Sequence, residues 1–388
     1  MISGIDNNLI EALKCEYTAT EINQQPRLWL ETYKIIKENK EKIQNFFKDK
    51  LNKENIRIVL CGAGTSAFVG DTAAPYLSKL LNKRVEAVAT TNVVSNPEQY
   101  IEKATPTIVV SFARSGNSPE SVGTYDLFEQ LSDDLYQVII TCNSEGELAK
   151  RARTKESNLL LLMPEESNDK SFAMTSSFSC MLLTTLLAFD IENIEKNYKK
   201  VEEVAKQGEK ILSEQFNEMR DVMNFKSKRV VFLGSGSLMG LAREMALKNL
   251  ELTSGNVISV HESVLGFRHG PKSIINNDTT VFILVSNDEY TYNYDKDLIK
   301  EIFTDEGEQK LVVLSYKDRE ELKYLSHKYV TLNGAEDLDD AYLALNYVLY
   351  AQLYALYSSI DLGISPDNPR PDGTVNRVVK GVTIHKFN

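Results

Sequence analysis

Short runs of β-branched and other apolar residues punctuate the chain. Three lie in the first half, IRIVLCG from Ile56, PTIVVSF from Pro106 and YQVIITC from Tyr136, and three in the second, KRVVFLG from Lys228, TTVFILVS from Thr279 and QKLVVLS from Gln309. Runs this short and this apolar predict strands buried on both faces. Between them the pattern changes to apolar residues at every third and fourth place, as in GDTAAPYLSKLL (70–81) and SVGTYDLFEQLS (121–132), which predicts helices. Strand and helix in alternation predict a parallel sheet wound on both faces.

The spacing repeats. Ile56, Thr107 and Val138 are 51 and 31 positions apart, and Val230, Thr280 and Leu311 are 50 and 31 apart. Such agreement predicts an internal duplication, two copies of one α/β unit. The predicted fold class is therefore α/β, with two tandem doubly wound parallel sheets. Residues 1–50 are expected to form a helical N-terminal arm, 51–195 the first domain, 196–225 a charged linker helix and 226–362 the second domain. The segment 338–360 should be a docked helix, and 363–388 an irregular tail.

Length and charge narrow the classes. The 388 residues are ample for two cores and exclude a small disulfide scaffold. With 44 basic and 55 acidic side chains the net charge is −11, which argues against nucleic acid or an anionic membrane as partner while leaving room for a local anion pocket. Cys15, Cys61, Cys142 and Cys180 are scattered, and the first residues lack the apolar core of a signal peptide, so a reducing, cytoplasmic setting is expected. The most apolar stretch, near 180–189, falls short of the ~20 residues that a membrane span needs.

Two loops invite an anion. Gly62-Ala63-Gly64-Thr65-Ser66 follows the first strand, and Ser115-Gly116-Asn117-Ser118-Pro119-Glu120-Ser121 follows the second. The carboxyl ends of parallel strands are where open α/β sheets bind ligands. Hydroxyls and unhindered N–H groups at a helix start suit a phosphate. The plain alternative is a helix cap and a turn, the better reading for any one serine; for the cluster, phosphate is preferred. Gly62, Gly64 and Ala67 also fit the G-x-G-x-x-A of dinucleotide sites, with Glu86 as the acid, but that reading leaves the Ser115 loop unexplained. The duplicated copy has Ser286-Asn287-Asp288-Glu289-Tyr290 in place of the serine loop, and its carboxylates would repel a phosphate.

Acid and base groups lie in the second half. At about 100° per residue, Glu244, Lys248 and Glu251 of LAREMALKNLEL (241–252) fall in a stripe some 60° wide flanked by apolar residues. The pattern predicts a buried helix whose charged stripe faces a cleft or a subunit boundary. A carboxylate in such a place suits proton transfer. The bland reading is an ion pair of Glu244 with Lys248, which leaves Glu251 over. His269 is held between Arg268 and the Gly270-Pro271 turn, whereas His261, His327 and His385 take the structural default. No His or Cys spacing fits a metal, and neither a metal nor a cofactor is expected.

These residues together resemble the tandem sugar isomerase (SIS) domain family, through GAGTS at 62–66, SGNSPES at 115–121, ALKNLEL at 246–252 and GFRHGP at 266–271, over residues 50–388. The chain is similar to the isomerase half of glucosamine-6-phosphate synthase and closer to the tagatose-6-phosphate ketose/aldose isomerases, also regarded as galactosamine-6-phosphate deaminases. The resemblance implies phosphate binding by Ser66, Ser115, Ser118 and Ser121, with Arg114 where the synthase has glutamine. It implies proton transfer by Glu251 with Lys248 beside it, ring opening by His269 reaching a neighbouring subunit's site, and an active-site lysine at Lys380. Gly64, Thr65, Thr175, Ser176 and Arg268 stand at further substrate-contacting places, although FAMTSSF departs from the synthase pattern. About 50 residues precede the first strand and position 2 is Ile2, not a cysteine nucleophile, so glutamine-driven amination is not expected.

Three functions remain open. One is a deaminase/isomerase taking galactosamine 6-phosphate to tagatose 6-phosphate and ammonia; another is a ketose/aldose isomerase that releases no ammonia. The third is a non-catalytic sugar-phosphate sensor, which would need neither Glu251 nor His269 nor Lys380. A small sugar phosphate is the expected ligand, and a homodimer or higher homo-oligomer with a shared site the expected assembly.

Overall fold

A computed structural model describes residues 1–334, 336–379 and 381–388, and the chain folds into two compact units. One unit comprises Arg27–Asp169, Ser176–Tyr198 and Asp372–Asn388; the other comprises Met1–Pro26, Lys170–Thr175 and Lys199–Pro371.

The first of these contains strands β1 (Arg57–Gly62), β2 (Arg84–Ala89), β3 (Thr107–Ala113), β4 (Leu135–Thr141) and β5 (Leu159–Leu162), all parallel, in the order β2-β1-β3-β4-β5. Every residue of β1 and β3 is buried, as their unbroken apolar runs require. On one face Val59, Cys61 and Val109 pack against Leu127 and Phe128 of helix Pro119–Leu131. Helix Thr65–Leu81, which joins β1 to β2, lies against helix Ser176–Phe189. That second helix is buried at every position, so its apolar stretch is a core element.

The other unit repeats the plan with β6 (Arg229–Gly234), β7 (Ile258–Ser263), β8 (Thr279–Leu284), β9 (Lys310–Ser315) and β10 (Lys328–Thr331), in the order β10-β9-β8-β6-β7. The registers correspond: Arg57 lies opposite Thr107 in one unit and Arg229 opposite Thr279 in the other. Helix Asp340–Asp361 is buried at every position from Ala341 to Ser359 and packs along helix Ser237–Leu252. Two of its buried amides reach across to other elements, Asn346 Nδ2 donating to the Val204 carbonyl at 2.8 Å and Gln352 Oε1 accepting from Gln25 at 2.6 Å.

Four strands lie outside the sequence expectation, β2, β5, β7 and β10, all at sheet edges. Edge strands meet water on one side and so carry Arg84, Glu86, His261 and Glu262 among their residues. The charged segment expected as a linker helix over 196–225 runs through helix Ile194–Lys210 and helix Phe216–Met223, with a π-helical turn, Ile211–Gln215, between them. Among the described residues no single helix is long and apolar enough to cross a membrane.

Candidate active site

In the β1–β5 unit, two loops meet where the strand order switches direction, at the carboxyl ends of the neighbouring strands β1 and β3. The chain turns under itself after β1. A Cβ on Gly62 would lie 2.3 Å from the carbonyl carbon of Ser66, so only glycine lets helix Thr65–Leu81 start there, and Gly64 adopts φ +55°. Thr65 and Ser66 are buried in this first turn.

The loop after β3 is braced from beneath. Asn143 Nδ2 donates to the Ser115 carbonyl at 2.9 Å, the Leu148 N–H to the Gly116 carbonyl at 3.1 Å, and the Glu147 N–H to Asn117 Oδ1 at 2.9 Å. Gly116 takes φ +68° at the bend. Ser118 stands as the extended cap residue of helix Pro119–Leu131, and its hydroxyl lies 2.8 Å from that of Ser121. Ser115 Oγ accepts the Asn117 N–H at 3.3 Å. The loop thus concentrates three hydroxyls at a helix start, which matches a tetrahedral anion in geometry and in sign.

Arg114 is buried, and its Nη2 donates to the Arg377 carbonyl at 2.6 Å. Arg377 in turn donates through its guanidinium to the Asp169 carbonyl. The C-terminal segment is tied down further along, where Ile384 lies against Gly123 and Phe387 packs on the Val59–Phe128 cluster. Lys380, on the same segment, lies outside the described residues. Asp169 accepts the N–H groups of Ser176 at 3.1 Å and Ser177 at 2.9 Å. Thr175 and Ser176 are themselves fully buried. Sequence reasoning passed over Arg377, Asp169 and Asn143, because each acts through a partner distant in sequence. Burial pushes the thiols of Cys61 and Cys142 up to about 12, so neither supplies a thiolate near neutral pH.

The β6–β10 unit holds Glu244, Lys248, Glu251 and His269. Helix Ser237–Leu252 follows β6, and its stripe differs from expectation: Glu244 and Lys248 are fully buried, and Glu251 keeps a quarter of its side-chain surface exposed (25%). Lys248 Nζ lies 2.5 Å from Glu251 Oε2 and 3.5 Å from Glu244 Oε1. Its nearer partner is therefore Glu251, not the Glu244 of the i,i+4 reading. The stripe can sit inside because one ammonium serves two carboxylates.

His269 is exposed, on a loop anchored by the buried Phe267 and followed by Gly270 at φ +119°. Arg268 is engaged from behind, with Nε 2.7 Å from Glu301 Oε2, and Lys272 Nζ reaches the same carboxylate at 2.5 Å. Burial lowers the pKa of His261 and of His327, and His327 Nδ1 accepts the Leu311 N–H at 3.1 Å. Among the described residues no group of three His, Cys, Asp or Glu side chains is placed to hold a metal.

Two parallel sheets in the 2-1-3-4-5 order, each opening into a glycine-bent loop and a helix start, define a duplicated α/β protein. The SIS domain family matches residues 50–190 and 225–360, and the chain belongs to it. It is 44% identical over 374 residues to the D-galactosamine-6-phosphate deaminase AgaS of Shewanella sp. (strain ANA-3), spanning 96% of this chain and 92% of that one. It superposes on the crystal structure of a Clostridium novyi NT protein with a TM-score of 0.97 and 46% identity, over 100% of this chain and 99% of the other. The crystal structure of tagatose-6-phosphate ketose/aldose isomerase from Escherichia coli matches with a TM-score of 0.88 and 38% identity, over 96% of each chain.

Proposed function

We propose that this protein is a D-galactosamine-6-phosphate deaminase/isomerase, which makes tagatose 6-phosphate and ammonia. The observation that carries the chemistry is the Lys248–Glu251 pair, a partly open carboxylate fixed by a buried ammonium 2.5 Å away. The nearly full-length likeness to a galactosamine-6-phosphate deaminase supports the substrate. The nearly full-length likeness to a deaminase and to an isomerase favours an enzyme over the non-catalytic sensor reading.

Residues 51–195 would hold the substrate phosphate through Ser66, Arg114, Ser115, Ser118 and Ser121, with Gly64, Thr65, Thr175, Ser176 and Arg268 contributing contacts or shape. Within 226–362, His269 opens the sugar ring. Glu251 removes the C2 proton, the electron pair of that bond forms the C1–C2 double bond, and the C1=O π pair moves onto O1, which takes a proton from water to give an enolamine. The same carboxyl returns the proton to C1, leaving a ketimine at C2. Water then adds to the ketimine carbon and ammonia leaves, which balances the reaction as hexosamine phosphate plus water to ketose phosphate plus ammonia. Lys248 keeps Glu251 oriented, and Lys380, in the tail 363–388, stabilises the charge developing on the enolamine. The working form is a cytoplasmic homo-oligomer in which His269 serves a neighbouring subunit's site.

Glu251→Gln tests the assignment. It should lower kcat by at least about 10³-fold with substrate binding retained, and a near-normal kcat would overturn the role. The likeness to a ketose/aldose isomerase favours a second reading, isomerisation without nitrogen loss. Ammonia and ketose measured side by side on galactosamine, glucosamine and galactose 6-phosphates decide between the two. Sedimentation of a fully active monomer would refute the shared site.

A further inference from the structure

The loop after β8 stands where the serine loop stands after β3, yet its donors are taken by carboxylates of the same chain. Asp340, the first residue of helix Asp340–Asp361, accepts the Asn287 N–H through Oδ1 at 2.8 Å and the Ser286 hydroxyl through Oδ2 at 2.6 Å. Asp295, fully buried on helix Glu289–Thr304, accepts the Ser286 N–H through Oδ2 at 2.8 Å. Its Oδ1 receives the hydroxyl of Ser235, from the glycine loop after β6, at 3.3 Å. One carboxylate therefore bridges the loops of two neighbouring strands, and another takes a consecutive N–H and a hydroxyl in bidentate fashion. Lys317 Nζ, 3.3 Å from the Asn287 carbonyl, adds a cation beside them.

We infer that the carboxyl end of the β6–β8 pair is a second anion-binding site, kept filled by the side chains of Asp340 and Asp295. A tethered carboxylate occupies its donors without the association entropy that a dissolved anion must lose. The duplicated half is consequently closed to sugar phosphates, and each chain offers one such site. Repulsion by Asp288 and Glu289 alone would leave the donors open to water; the observed bonds close them.

Asp340→Ala shortens the side chain and exposes the Asn287 N–H and Ser286 hydroxyl to added anions. The probe is sodium acetate, the nearest soluble stand-in for the lost carboxylate, compared with sodium chloride at equal ionic strength in thermal melts. Acetate should raise the melting temperature of the variant by about 3 °C or more above chloride and leave that of the intact protein unchanged. Equal responses to the two salts, or equal responses of the two proteins, would overturn the inference. Asp340→Ser, which keeps one acceptor at the helix start, is the second variant and should respond in the same direction. If both variants are unfolded at room temperature, refolding yield from urea in acetate against chloride gives the same two outcomes. Neither measurement involves turnover, so its failure is separate from failure of the deaminase reading.

Discussion

Replacing Lys248 by Met keeps the length of the side chain and removes the ammonium that lies 3.5 Å from Glu244 Oε1. Lys248 and Glu244 both have 0% side-chain exposure, so the loss leaves a carboxylate in the core between helix Ser237–Leu252 and its neighbours, while Glu251 can still turn to water. Breaking a buried pair by deleting one partner costs about 3–5 kcal/mol. The pair itself contributes far less, because the desolvation of both ions offsets most of their attraction. The double variant Lys248→Met, Glu244→Gln should therefore recover at least about half of the loss, since the buried carboxylate that faced the deleted ammonium is neutral as well. Urea unfolding at pH 7, for the two single variants and the double, measures this as a cycle. A loss below about 1 kcal/mol for Lys248→Met, or a double variant no more stable than the single, would refute the argument that one ammonium lets the stripe lie inside. The same substitution should lower turnover under the proposed mechanism, because Glu251 loses its orienting partner.

Gly62→Ala places a Cβ 2.3 Å from the Ser66 backbone and must push the helix start away from β1, so activity should fall more than tenfold even where circular dichroism is unchanged. The Asp295 carboxyl is pushed up to about 7, first by burial and then by Asp340, against the lowering effects of the Ser286 N–H, the Ser235 hydroxyl and Arg319. A folded pKa raised above the unfolded value gives stability that is present below about pH 4 and is lost as pH rises to about 7. Asp295→Asn should flatten that slope between urea melts at pH 5 and pH 7.5, and an unchanged slope would reject the assignment. Phe387→Ala should cost about 1–2 kcal/mol by thinning the Val59–Phe128 cluster, and a turnover loss larger than the stability loss explains would show that the anchored tail matters to the chemistry.

What could be read in the sequence follows what is local. β1, β3, β6 and β8 were legible because strands covered on both faces need apolar residues without interruption. β2 and β7 were not, because an edge strand tolerates Glu86 or His261 and loses the signal, and β5 and β10 are only four residues long. The serine loop was legible as one contiguous segment, and Glu244, Lys248 and Glu251 as a stripe on one helix, although the closer pairing of Lys248 with Glu251 was not. Arg114 with Arg377, 263 positions apart, and Ser286 with Asp340, 54 apart, left no local pattern, since only the folded backbone brings them together.

The order in which the chain supplies its parts has a consequence for synthesis and for engineering. Residues 1–26 belong with the sheet made last, and residues 372–388 belong with the sheet made first. During translation the β1–β5 sheet must wait for Phe387 before its cluster is complete, and the opening residues must wait for 199–371. Cutting the gene once, between the two sheets, would give two halves that each lack a terminal segment of their own unit and carry a loose piece of the other. A graft of the serine loop onto another scaffold would have to move three separate stretches of sequence together.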